Sequence, residues 1–112
     1  MRLRNDKATE CLYGLNGVLD CSGKLGYCIA RNNRLLVTEL QEYLRARDES
    51  IVRHGSGQTI DPSMPGWGAF VAEMADLDAM ERDYDFDRIS WAEASEQLTA
   101  RQLLSIDWML ED

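Results

Sequence analysis

The sequence predicts a mainly α-helical fold: an antiparallel helical hairpin with one long helix, a third packed helix, a short extended segment and a C-terminal helix. Three observations lead there. Residues 24–54 contain no proline and one glycine, Gly26, and carry an apolar stripe at helical spacing. Residues 7–19 and 67–80 also repeat apolar side chains at i, i+3, i+4 and i+7. Period-two alternation, the mark of extended chain, occurs at residues 83–89.

Asn5 and Asp6 offer an N-cap to the first helix, 7–19, whose apolar face is Ala8, Leu12, Leu15, Val18 and Leu19. Gly14 and Gly17 weaken it by about 1 kcal/mol each relative to alanine, and their spacing lets another helix approach closely. Asp20-Cys21-Ser22-Gly23 is a short connection, which favours an antiparallel hairpin. Ser22 is placed to cap the second helix, 24–54, and Gly55 stands where a left-handed C-terminal residue belongs. At 1.5 Å per residue this helix spans about 45 Å and protrudes beyond the core. Its stripe is Leu25, Ile29, Leu36, Leu40, Tyr43, Leu44 and Ile51, interrupted at Asn32 and Arg47. Glu42 can reach Arg45, and Glu49 precedes Arg53 by one helical turn.

Residues 55–59 read as a flexible turn. Residues 60–66, with Pro62 and Pro65, open a third helix in which proline is tolerated in the first turn. Trp67, Phe70, Val71, Met74 and Leu77 then form a core face packed on the second helix. In residues 83–89, Tyr84 and Phe86 share one face and Asp83, Asp85 and Asp87 the other, as in an edge strand protected by charge. Ser90-Trp91-Ala92-Glu93 opens a single helical turn. Thr99 and Gln102 form a capping box, stapled by Leu98 and Leu103, for a last helix over 100–110 that buries Leu103, Leu104, either Ile106 or Trp108, and Leu110. The chain reads as a single α-rich domain over 1–112, with a hairpin at about 7–54 and an acidic C-terminal part at about 60–112.

With 112 residues and 45% apolar content, the chain can bury a modest core. It lacks the ~20-residue apolar stretch that spans a bilayer, and its N-terminus lacks the apolar region of a signal peptide, so a soluble cytoplasmic protein is expected. The net charge of −8 is unevenly spread. Residues 1–54 carry nine basic and seven acidic side chains, whereas residues 55–112 carry three basic and thirteen acidic ones. The second half is repelled by phosphate backbones, so direct nucleic-acid binding is not expected.

Cys11, Cys21, Cys28 and the single His54 lack zinc-site spacing and read as packing residues in a reducing compartment. Asp83, Asp85 and Asp87 occupy positions one, three and five of a calcium loop. Arg88 then stands where that loop needs glycine and Ala94 where it needs glutamate, so no metal is expected. Phosphate-loop, dinucleotide, nucleophile-elbow and zinc-helix motifs are all missing. Neither catalytic residues nor a cofactor are expected; the chain should act by binding.

Two charged sets are candidate sites. Glu73, Asp76, Asp78, Glu81, Asp83, Asp85 and Asp87 enclose one basic residue, Arg82. Such a run is either a solvated face or a partner-binding face that imitates phosphates spaced along a nucleic acid. Arg31, Arg34, Arg45, Arg47 and Arg53 lie along the long helix with Tyr27 and Tyr43 nearby. They are either salt-bridged surface or an anion site assembled where symmetric copies meet, since arginine suits bidentate phosphate recognition.

The order of features resembles small helical proteins of phages and prophages of Gram-positive gut bacteria. The matching pieces are Leu25-Gly26-Tyr27-Cys28-Ile29-Ala30-Arg31-Asn32, Glu42-Tyr43-Leu44-Arg45-Ala46-Arg47-Asp48, Asp61-Pro62-Ser63, the helix over 70–78 with its acidic sequel, and Leu98-Thr99-Ala100-Arg101-Gln102-Leu103-Leu104. The resemblance implies a phage origin and a helical hairpin, and brings no functional residue with it. Two non-catalytic roles then fit. One is an inhibitor of host antiviral defence, either an acidic nucleic-acid mimic of anti-CRISPR type or an oligomeric sponge for a signalling nucleotide. The other is a tail-assembly or virion accessory protein that docks through the long amphipathic helix on a phage structural protein. Neither role involves a membrane, and the sponge requires a homo-oligomer.

Overall fold

A computed structural model describes all residues, 1–112. The chain forms β1 (Arg2–Arg4), α1 (Asn5–Asn16), α2 (Gly23–His54), α3 (Trp67–Ala79), β2 (Glu81–Asp83), β3 (Ile89–Ser90), α4 (Trp91–Ser95), α5 (Ala100–Ser105), a 3-10 turn at Asp107–Met109, and β4 (Leu110–Glu111). The fold is mainly α, as the periodicity predicts. No helix is long and apolar enough to cross a membrane.

The 32-residue α2 is the axis of the molecule, which measures 48 Å in its longest dimension. Sixteen buried apolar residues form one continuous cluster. The face Ala8, Leu12 and Leu15 of α1 meets Leu25, Ile29, Leu36 and Leu40 of α2, and the C-terminal segments close over them with Ile89, Leu103, Ile106, Met109 and Leu110. Each leucine, isoleucine or methionine among them contributes about 1.5–3 kcal/mol by leaving water. Further along α2, Phe70 and Met74 of α3 are buried apart from that cluster. There α2 and α3 run antiparallel, because Tyr43 meets Asp78 while His54 meets Glu73.

Several boundaries differ from the sequence expectation. The first helix begins at Asn5, and neither Asn5 nor Asp6 is its N-cap residue. Asn5 is held instead by α3: its backbone N–H donates to Met80 O at 2.9 Å and its side-chain amide to Leu77 O at 2.9 Å. Leu19 lies beyond the helix and is exposed. Ser22 precedes α2 without a side-chain cap, because the Gln97 carboxamide brackets it, accepting from Ser22 N at 2.9 Å and donating to Ser22 O at 3.0 Å. Gly55 is extended rather than left-handed; a Cβ there would run into Thr59 O.

Residues 60–66 are turns, so the third helix starts only at Trp67. Asp61 accepts from the backbone N–H of Ser63 at 2.8 Å, an Asx turn that competes with a helical start. Val71, expected in the core, is exposed. The last helix keeps its Thr99–Gln102 capping box but ends at Ser105, so the stretch 100–110 is helix, 3-10 turn and strand in succession. Leu104 consequently faces solvent while Met109 is fully buried.

Extended chain is also arranged differently. β2 pairs antiparallel with β1, matching Arg2 to Asp83 and Arg4 to Glu81, and β3 pairs parallel with β4. Residues 84–88 belong to no named strand. The alternation nevertheless holds: Tyr84 is buried and Phe86 half-buried, while Asp83 and Asp85 are exposed. Tyr84 stacks on Phe86 at 5.1 Å, and Phe86 packs against Trp108 at 4.6 Å.

Candidate functional site: an anionic surface and two grooves

Asn32 explains the first break in the α2 stripe. Its side chain is fully buried and brackets the backbone of Asp87, donating to Asp87 O at 2.9 Å and accepting from Asp87 N at 2.8 Å. This holds the acidic segment against the long helix, with Asp83 and Asp85 exposed and Asp87 half-buried.

The seven acidic residues of the run do not form one open face. Glu73 accepts from Ser50 and His54 at 2.7 Å each and from Arg53. Asp78 accepts from the Tyr43 hydroxyl at 2.5 Å. Glu81 and Asp83 share Arg2 at 2.7 and 3.1 Å, across the β1–β2 pair. Asp87 pairs with Arg31 at 2.6 Å. Asp76 and Asp85 alone keep carboxylates without an ion pair or side-chain hydrogen bond, and both are exposed. Burial, together with the Asp78 carboxylate, pushes the Tyr43 phenol up from its ordinary pKa. It therefore remains a hydrogen-bond donor.

The arginines are dispersed in a similar way. Arg31 and Arg34 line one groove of about 420 Å³ with Tyr27, Asn32, Glu39 and Asp85. Arg45 pairs with Glu42 at 3.4 Å. Arg47, the second break in the stripe, lies in another groove and donates to the Tyr13 hydroxyl at 3.3 Å. Arg53 is committed to Glu73, not to Glu49.

That second groove, about 340 Å³, lies between α1, α2 and α3. Tyr13, Tyr43, Trp67 and Phe70 line it, with Asp6, Glu10 and Asp78 among its polar residues. Helical periodicity does not point to this groove, because Tyr13 lies off the apolar face of α1. The available signal was α3 itself, whose thirteen residues are apolar except for three acids.

No three His, Cys, Asp or Glu side chains converge on a common point, and the cysteines are free. Burial, chiefly, with Glu10 and Asp107 adding to it, pushes the Cys11 thiol up to about 11. Desolvation also raises Cys21 and Cys28. None is set up as a thiolate nucleophile. Ser50, Glu73 and His54 adjoin, but the carboxylate lies between hydroxyl and imidazole. The order needed for nucleophile activation puts the imidazole next to the hydroxyl. Comparison with protein-family models, curated proteins and solved structures returns no match.

Proposed function

We propose that the protein acts by binding, as a phage-derived inhibitor of host antiviral defence that sets its unpaired carboxylates against a basic, nucleic-acid-binding surface of a host effector. The supporting observation is the imbalance left after internal pairing. Among the basic side chains, Arg34, Arg47, Arg82 and Arg101 lack a carboxylate partner, while eleven of the twenty acidic side chains stand outside any ion pair. A surface with this excess attracts basic proteins and repels nucleic acid itself.

The pairing also decides how the reading is tested. Asp83 and Asp87 hold Arg2 and Arg31, so replacing them perturbs the fold as well as the charge. Asp76 and Asp85 carry no such duty. Tagged protein captured from phage-infected host cells is expected to retain a basic host defence protein, and the double variant Asp76→Asn, Asp85→Asn to lose it. Retention of tail or capsid proteins by both would overturn the inhibitor reading in favour of a virion accessory.

One observation favours a nucleotide sponge as a second reading. Tyr27, Arg31 and Arg34 share a groove of a size that suits a small ligand. Glu39 and Asp85 in the same groove oppose a phosphate, so this reading requires arginines from another copy. Native mass spectrometry would then show an oligomer carrying nucleotide, and Arg34→Ala would release it; a monomer that binds none rejects the sponge.

A further inference from the structure

The outer side of α3 is mostly small and apolar, with Asp76 as its unpaired exposed carboxylate, where a surface helix normally turns a broad polar face to water. Gly68, Ala69, Val71, Ala72, Ala75 and Ala79 are all exposed there, and the only polar residues of the helix are Glu73, Asp76 and Asp78. This face adjoins the groove between α1, α2 and α3, where Tyr13 is 55% exposed and so largely uncovered.

Charge indicates what suits the groove. Asp6, Glu10 and Asp78 belong to its lining, with Arg47 as the one basic residue there. Asp6 and Glu10 meet Arg4 and Lys7 in exposed pairs at 3.1 and 3.4 Å. Asp78 has no basic partner and bonds the phenol of Tyr43, itself part of the wall. Aromatic rings beside a carboxylate attract a guanidinium or ammonium group through both the ring quadrupole and the charge. The Arg47 guanidinium lies in this groove, attached to Tyr13 by a single 3.3 Å hydrogen bond.

We propose that the crevice between α1 and α3 receives an arginine or lysine side chain of a basic protein partner, with the exposed alanine face of α3 packing beside it. The proposal rests on the reading of the protein as a binder of basic surfaces and adds where the contact is made. Arg47 is then an internal competitor that the incoming side chain displaces.

A hexa-arginine peptide at low ionic strength tests this, followed by the NMR signal of the Trp67 indole in the folded full chain. Saturable shifts centred on Trp67 and Tyr13 are expected. Tyr13→Ala, a change at an exposed ring, should weaken binding about two- to fivefold, the range of an exposed cation–π contact. Arg47→Ala should tighten binding by a comparable factor, which a purely structural role for Arg47 would not produce. Shifts that spread over Asp76 and Asp85 but spare Trp67 would overturn the crevice while leaving the acidic-surface reading intact. A peptide that does not bind at all would overturn that reading, and the crevice with it.

Discussion

Asn32 is a polar residue at a position where the helical stripe calls for an apolar one, and its environment shows why. It satisfies one donor and one acceptor of the Asp87 backbone inside the protein. Asn32→Ala should therefore cost about 2–3 kcal/mol, the penalty of leaving buried polar groups unpaired, and urea denaturation measures it. A loss below about 0.5 kcal/mol, the range of an ordinary surface change, would mean that residues 84–88 are held by their aromatic rings alone. Glycines give a contrast of sign. A Cβ on Gly14 would lie 2.4 Å from Ser105 O, whereas one on Gly68 meets open space. Gly14→Ala should destabilise by about 1–3 kcal/mol despite its better helix propensity, and Gly68→Ala should stabilise by up to about 1 kcal/mol. Thermal unfolding of the two variants should move in opposite directions. Cys11 holds its proton to about pH 11, against an ordinary 9.0. The folded chain thus binds more protons than the unfolded one above pH 9, and this group makes stability fall as pH rises through that window. At pH 8 iodoacetamide should label Cys11 at least about tenfold faster in urea than in the folded protein. Equal rates would show the thiol to be open.

Helices were legible at the scale of the element wherever an apolar stripe persisted. The long α2, the core of α1 and the Thr99 capping box follow from periodicity and local chemistry. What escaped is what tertiary contacts decide. β1 and β4 are three and two residues long, too short to alternate measurably, and exist because partners lie beside them. Pro62 and Pro65 fit a helical first turn and an Asx turn equally well, and the Asp61 side chain selects the turn. The candidate acids were visible as a run, but their partners were not, since Arg2 and Tyr43 are distant in sequence from Glu81 and Asp78. Glu73 fastens α3 to the end of α2 through Ser50, Arg53 and His54. With Glu73 about one-third exposed, Glu73→Gln should cost about 1 kcal/mol after allowance for solvent screening. Hydrogen exchange should rise first in residues 67–74, and unchanged protection there would show that the apolar contacts of Phe70 and Met74 suffice.

For the whole molecule, a small core organised on one long helix leaves a surface with far more free carboxylates than free cations. That imbalance is the basis for reading the protein as a competitor of nucleic acid for a basic surface, and α3 with its adjoining crevice adds apolar area to the contact. The most direct test is displacement: nucleic acid is pre-bound to the captured host effector, and its release is measured as this protein is titrated in. Release should weaken as salt is raised and be lost in the Asp76→Asn, Asp85→Asn variant. Binding to the effector that leaves its nucleic acid in place, or equal release by the variant, would contradict that reading.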